Sequence, residues 1–374
     1  MYFQHEYERE AVAMPLNGTF QLDLPENGLL GSILLRISGD EVTGFGQNAQ
    51  DWRIIDELTK IVILANGATI IKSLTPLQAQ ALSVLDQKVM PPSVWRNYAT
   101  NTQFEYILIN FGRHLYDQEY GLDLARFKNI ELQISNDTAS FTDLTVSIMA
   151  VYLRDASAGQ FKGYMRSEEW RAWTTVQDEI KYLDLPTEYI LRRLILNAIP
   201  GVDGNFLANT TMQNLMDDID VSLDTGAQRV YKGGMDDLIR LNHYQLGSPM
   251  IATGAFYQFA DDGVDISLGY VNGGAWGAGS QSGAVAGTFP TMESSLTSNT
   301  QKPEVYTADC PTGFMFMGVA PYMCGFIPFD IDPNPSTWLD PASRFAVECN
   351  VHTRNAASAA GGRNAVVLDR LVRY

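Results

Sequence analysis

The sequence is poor in the residues that most often carry chemistry. It has three cysteines, Cys310, Cys324 and Cys349, and four histidines, His5, His114, His243 and His352, in 374 residues. No two cysteines are spaced as C-x-x-C and the histidines are scattered, so neither a disulfide framework nor a thiolate or histidine metal site is signalled. Basic charge is scarce too. There are 26 Lys and Arg against 43 Asp and Glu, a net charge of −17. A phosphate binder needs cations where counterions can be released, so direct nucleic-acid binding is not expected. Charged residues make up 18% of the chain, below the usual ~25%. A large uncharged share of the surface is expected, as on a subunit that packs against neighbours. Residues 1–10 are polar, and nowhere do ~18 uncharged apolar residues run together, so neither a signal peptide nor a membrane span is expected.

What the chain does have is 45% hydrophobic and 11% aromatic residues, enough for a sizeable core. They fall in short alternating runs separated by Gly, Asn, Asp and Pro, the pattern of many short antiparallel strands. Such runs lie at 19–24, 32–37, 60–64, 69–72, 104–111, 130–134 and 144–153. The expected fold is all-β with a few short helices. Leu77, Ala81, Leu85 and Val89 stand at four-residue steps behind Thr75-Pro76, which predicts a helix near 75–88 with proline in its first turn. A helix is also predicted over 167–182, where Ser167 precedes Glu168, Glu169 and Trp170 as an acidic first turn. A third is predicted over Met235 to Leu241, with Asp236 and Asp237 in its first turn.

Compared with itself, the chain repeats. Leu24-Pro25, Leu29-Leu30 and Ile33-Leu34-Leu35 recur as Leu185-Pro186, Ile190-Leu191 and Leu194-Ile195-Leu196 at one constant offset. Ile61-Val62-Ile63, Gly67-Ala68 and Ile71-Lys72 are echoed by Val221-Ser222-Leu223, Gly226-Ala227 and Val230-Tyr231-Lys232. Near the end of each half, Leu122-Asp123, Arg126-Phe127 and Ile130 to Ile134 match Leu339-Asp340, Arg344-Phe345 and Val347 to Val351. Short runs at 136–155 and 355–374 then close each half with a β-rich strand. Single matches of this kind arise by chance among apolar strands, but four in the same order point to a tandem duplication. The expected division is a first unit over 1–155 with an N-terminal arm, a connector over 156–183, and a second unit over 184–374.

Two successive β units, each with proline-punctuated early strands and a strand-turn-strand ending in a short helix, resemble double jelly-roll major capsid proteins of tailless icosahedral viruses, bacteriophages among them. The resemblance spans about residues 11–374 and rests on architecture, without a signature motif. It implies two tandem eight-stranded jelly rolls and a structural virion protein with no catalytic, cofactor or metal residues. It also implies homotrimers of pseudo-hexagonal outline that tile a shell and meet neighbouring trimers and vertex or minor capsid proteins, with assembly in the host cytoplasm. An internal membrane surface is a further partner, for which Lys162, Arg166 and Arg171 are the candidate headgroup contacts. The competing reading is a carbohydrate-binding or carbohydrate-active β-sandwich.

Residues 252–300 are rich in Gly, Ser and Ala and nearly uncharged after Asp265, which predicts a long outward or intersubunit loop carrying Tyr270 and Trp276. Asp261, Asp262 and Asp265, and Asp330 with Asp332, offer hard oxygen ligands suited to calcium, but neither set has the spacing of a helix-loop-helix calcium loop, and turn chemistry is the expected role. The neighbouring acids Asp217-Asp218, Asp261-Asp262 and Glu168-Glu169 are read as turn or helix-start residues, because adjacent strand residues face opposite ways. His114 and Glu119 are too few for a metal site. Sequons stand at Asn17, Asn136 and Asn209.

Overall fold

The computed structural model describes residues 1–41, 54–92, 95–97, 102–138, 141–157, 159–176, 178–199, 215–246, 320–353 and 362–374, and the backbone of 250–258, 266–267, 280–281, 291–294, 300–304 and 310–318. The first half runs β1 (Tyr2–Ala13), β2 (Thr19–Asp23), β3 (Leu29–Glu41), α1 (Ile54–Glu57), β4 (Leu58–Ala65), β5 (Thr69–Leu74), α2 (Pro76–Gln87), β6 (Trp95–Asn97), β7 (Thr102–Asn110), β8 (Leu122–Asp123), β9 (Ile130–Asn136) and β10 (Phe141–Arg154). The second begins with β11 (Gly163–Thr174), β12 (Glu179–Asp184), β13 (Ile190–Ile199), β14 (Asp218–Leu223), β15 (Gln228–Gly233) and α3 (Met235–Leu246). Next come β16 (Met250–Gln258), β17 (Ile266–Ser267), β18 (Ser280–Gln281), β19 (Thr291–Ser294), β20 (Thr300–Glu304) and β21 (Cys310–Gly318). The chain closes with β22 (Cys324–Pro328), β23 (Val347–Thr353) and β24 (Arg363–Arg373).

Strand pairing is the same in both halves. In the first, β1-β10-β3-β7 and β2-β9-β4-β5 are the two sheets; in the second, β11-β24-β13-β22 and β12-β23-β14-β15 repeat that order element for element. This connectivity is an eight-stranded jelly roll, present twice. The first roll encloses Ile33, Leu35, Ile107 and Ile148 from one sheet with Leu22, Ile61, Leu132 and Ile134 from the other. The second encloses Leu194, Leu196, Val366 and Leu368 with Ile219, Val221, Cys349 and Val351. The alternation of β9 and of β23, buried at every second residue, is the pattern expected of strands with one face on a core.

The irregularities repeat as well. Gly31 is skipped in the pairing of β3 with β10, and Arg192 in that of β13 with β24. Glu8 is skipped between β1 and β10, and Trp170 between β11 and β24. Ile71 is skipped in β4–β5, and Val230 in β14–β15. Bulges bend strands and re-aim side chains, so the same three in the same places mean one blueprint used twice.

α2 starts where the sequence signals it. Thr75 Oγ1 accepts from the Gln78 backbone N–H at 3.3 Å while Gln78 Oε1 accepts from the Thr75 N–H at 2.9 Å, a reciprocal cap with proline in the first turn. Lys88 in the left-handed region ends it. α2 packs on β7 and α3 on β22. The second contact is so close that a Cβ on Gly325 would lie 2.7 Å from the Met235 sulfur. Asn242 of α3 reads the free edge of β22, donating to Phe326 O at 2.7 Å and accepting from Phe326 N at 2.8 Å.

Three expectations are corrected. The stretch 167–182 is not a helix: Ser167 to Thr174 belong to β11, and Glu179 begins β12. Its acidic start is answered across the sheet instead, where Arg370 Nη2 meets Glu168 Oε2 at 2.8 Å, and pairing along all of β24 outweighs a weak local helix signal. The segment 156–183, expected as a connector, thus holds β11 and most of β12. The N-terminal residues expected as an arm form β1, paired to β10. Among the described residues no helix is long and apolar enough to cross a membrane.

Candidate functional site at the junction of the rolls

β5 of the first roll pairs in parallel with β11 of the second, Ser167 opposite Lys72 and Glu168 opposite Ser73. This joins the β2-β9-β4-β5 sheet to the β11-β24-β13-β22 sheet as one eight-stranded sheet. The outer face of the second roll's half then lies against the first roll: Ile195, Phe326 and Val367 merge with the first core.

Set into that apolar contact is a buried ionic cluster. Successive strand residues normally point to opposite faces, but the bulge at Arg192 breaks the alternation and lets Arg192 and Arg193 share the same acidic partners. Arg192 reaches Asp330 at 2.9 Å, Asp86 at 2.9 Å and Asp369 at 3.3 Å. Arg193 reaches Asp86 at 2.6 Å and Asp330 at 2.8 Å. Lys72 Nζ donates to Ser167 Oγ at 2.9 Å, and Ser167 Oγ donates to Asp369 Oδ1 at 2.7 Å. Arg192 Nη2 also donates to the carbonyl of Arg113 at 2.8 Å. Lys72, Asp86 and Arg113 belong to the first roll's elements; Ser167, Arg192, Arg193, Asp330 and Asp369 to the second's. Three cations face three carboxylates, and none of the five Arg and Asp side chains is more than 8% exposed.

The protonation states follow. Burial pushes the Asp86 carboxyl up, but Arg192, Arg193 and the Asn110 amide outweigh it and hold it below the usual carboxylate range. Burial works against the Arg192 charge, yet Asp86, Asp369 and Asp330 keep it firmly protonated. Burial wins at Lys72, lowering its ammonium to about 8 despite Asp369 and Asp86. A cavity of about 10 Å³ among Lys72, Asp86, Met165, Ser167, Arg192 and Asp369 has room for roughly one water.

Two further polar clusters flank it. Glu169 binds Lys60 at 3.0 Å and also meets Arg363 and the Gln78 amide; burial opposes its ionisation, and Arg363 and Gln78 restore it. Arg113 binds Asp117 at 2.7 Å and Glu119 at 2.9 Å, and donates to Pro333 O across the junction at 3.2 Å. In all three clusters the charged groups find opposite-charge partners within the protein, which suits fixing one roll against the other.

Asp330 lies in the central cluster with its two arginines, while Asp332 Oδ1 accepts from Asn334 N in a turn; the two do not converge on an ion site. Asp261, Asp262, Asp265, Tyr270 and Trp276 lie outside the described residues, as does most of 252–300. His114 Nδ1 bonds Leu115 O, and Glu119 turns to Arg113 and Lys162. Glu168 and Glu169 go to different cations, as neighbours on a strand do. No group of three His, Cys, Asp or Glu suited to a metal occurs among the described residues. Asn136 is buried, its amide donating to Pro15 O and accepting from Asn17 N, each at 2.9 Å, so it is a structural clamp. Of the candidate headgroup cations, Lys162 pairs with Glu119 at 2.9 Å, Arg166 with Glu168 at 2.6 Å, and Arg171 lies over Trp170.

The ionic cluster itself was not anticipated. Its trace in the sequence is Arg192-Arg193 inside a largely apolar strand, where the other half has Gly31-Ser32. Asp86, Asp330 and Asp369 carry no such local mark.

No protein-family model matches the sequence, and no curated protein matches it. Solved structures do. A structure of the Sulfolobus Turreted Icosahedral Virus matches with a TM-score of 0.59 and 10% identity over 99% of this chain and 90% of that one. The PBCV-1 virus capsid matches with a TM-score of 0.57 and 10% identity over 99% and 93%. The major capsid protein P2 from Bacteriophage PM2 matches with a TM-score of 0.52 and 10% identity over 99% and 98%. Two rolls of identical strand order, joined edge to edge and aligned nearly end to end with these structures, make the fold of this chain a double jelly roll.

Proposed function

We propose that the chain is the major capsid protein of an icosahedral virus and that three copies form a pseudo-hexagonal tile. The observation that carries this reading is the pair of like rolls held side by side by a buried, charge-balanced junction. A tile needs blocks of one shape at a fixed spacing, and a single chain here supplies two of the six. A double jelly roll shared with proteins of virus shells supports the same role. In this reading the boundary between the rolls falls between β10 and β11. Trimers bond laterally to other trimers and meet vertex or minor capsid proteins, the shell is completed in the host cytoplasm, and the virion is where the protein acts. Nothing among the described residues favours the carbohydrate alternative. Size-exclusion chromatography with light scattering should give three times 41.5 kDa, and electron microscopy should show pseudo-hexagonal particles or shells. A stable monomer that binds or cleaves a glycan overturns the proposal.

A further inference from the structure

The junction inside the chain joins the β5 edge of one roll to the leading strand of the next. Among the described strands the equivalent edges at the two ends of the molecule are open: β1 pairs there with β10 alone, and β15 with β14 alone. We propose that β1 of one copy adds in parallel to the β15 edge of another, with His5 opposite Tyr231 and Glu6 opposite Lys232, repeating the β5–β11 junction between chains. This rests on the trimer proposed above and gives it a specific contact.

The register comes from the bulges. Ser167 lies three residues before the bulged Trp170, and it pairs with Lys72, which directly follows the bulged Ile71. In the other roll, His5 lies three residues before the bulged Glu8, and Tyr231 directly follows the bulged Val230. Superposing the two blueprints therefore sets His5 against Tyr231, and the next residues, Glu6 and Lys232, as an opposite-charge pair. Both side chains are about half exposed, and their own ion pairs are long: 3.6 Å from Glu6 to Arg154 and 3.8 Å from Lys232 to Asp220.

Charge also selects the pairing. β1 carries Glu6, Glu8 and Glu10 against Arg9, and β15 carries Arg229 and Lys232. Two β1 edges repel each other, as do two β15 edges, while β1 and β15 attract. A head-to-tail contact of this kind makes a closed ring when its rotation closes.

The helices give an independent indication. α2 packs against Pro321–Met323 of the second roll, and its Leu82 and Leu85 are 7% and 4% exposed. Counted from the first residue of each helix, their equivalents in α3 are Leu241 and Tyr244, which are 59% and 85% exposed. Positions that α2 buries thus stay apolar in α3, where no described residue covers them.

The test is a full-length chain carrying Glu6→Cys and Lys232→Cys, with each single variant alongside. Paired strands stand about 4.8 Å apart, within disulfide reach, and Cys324 and Cys349 are buried. Oxidation should convert the double variant to a covalent species of three chains, absent from either single variant and from the parent. A parent that is trimeric by light scattering while the double variant stays uncrosslinked overturns the junction and leaves the capsid reading standing. A monomeric parent overturns both. Should the cysteine variant not fold, charge reversal decides: Glu6→Lys and Lys232→Glu should each weaken trimer association about tenfold or more, and their combination should recover most of the loss. Equal losses in the single variants with no recovery in the combination overturn the pairing.

Discussion

The two rolls share a strand plan but not an environment, and the contrast is sharpest between β3 and β13. From Ile33 onward β3 alternates buried and half-buried residues, because one face of its sheet lies on the core and the other is open. β13 is buried at every position from Leu191 to Ala198, because its outer face lies against the first roll. Strands covered on both faces usually read as unbroken apolar runs. β13 instead carries Arg192 and Arg193 in the middle, and β24 answers with Asp369. Replacing a buried ion pair with well-packed apolar groups is often neutral or stabilising, whereas removing one partner is strongly destabilising. The cluster is thus best understood as setting position: a greasy contact tolerates sliding, while five buried charges within ion-pair distance of one another tolerate little.

That contrast can be broken most directly at Arg192. Arg192→Leu should cost about 3–5 kcal/mol in urea unfolding, since three carboxylates lose a buried partner. Arg36→Ala, on the half-open face of β3 where Arg36 bonds Ser147, should cost under about 1 kcal/mol. Equal losses would mean the junction is no more demanding than an open sheet face. Next in size, Asn242→Ala should cost about 1–3 kcal/mol, because both backbone groups of Phe326 at the edge of β22 lose their buried partner.

Lys72 sharpens the comparison through pH. Its folded value of about 8 lies below the ordinary 10.5, so between those values the unfolded chain holds the extra proton. Stability from this group therefore rises with pH across the window. Relative to Lys72→Met, the parent should gain on the order of 2–3 kcal/mol from pH 8 to 10.5, read as the difference between two denaturation series. A flat difference would mean that Lys72 is charged in the folded protein throughout. The smallest effect belongs to the rim. Lys162→Ala removes an exposed partner of Glu119 and should leave the urea midpoint almost unchanged, with any small shift vanishing in high salt.

Much of the fold was legible because it rests on local or periodic signals. Alternation marked β9 and β23, Thr75-Pro76 marked the start of α2, and the constant offset between Leu24-Pro25 and Leu185-Pro186 exposed the duplication. The site was far less legible. Asp86, Asp330 and Asp369 are separated by up to 283 positions in the numbering, and each looks like any surface acid until three chain segments meet. Ser167-Glu168-Glu169 read as a helix start because an acidic first turn and a strand edge facing Arg370 and Arg363 have the same local composition.

Sequence alone determined that there would be two copies of one β unit, since strand periodicity and repeat spacing are written in neighbouring residues. Only the tertiary structure decided how the copies meet. Which edges pair, which arginines lose their water and which apolar helix face stays open depend on contacts between distant segments, and those energies exist only once the chain has closed on itself.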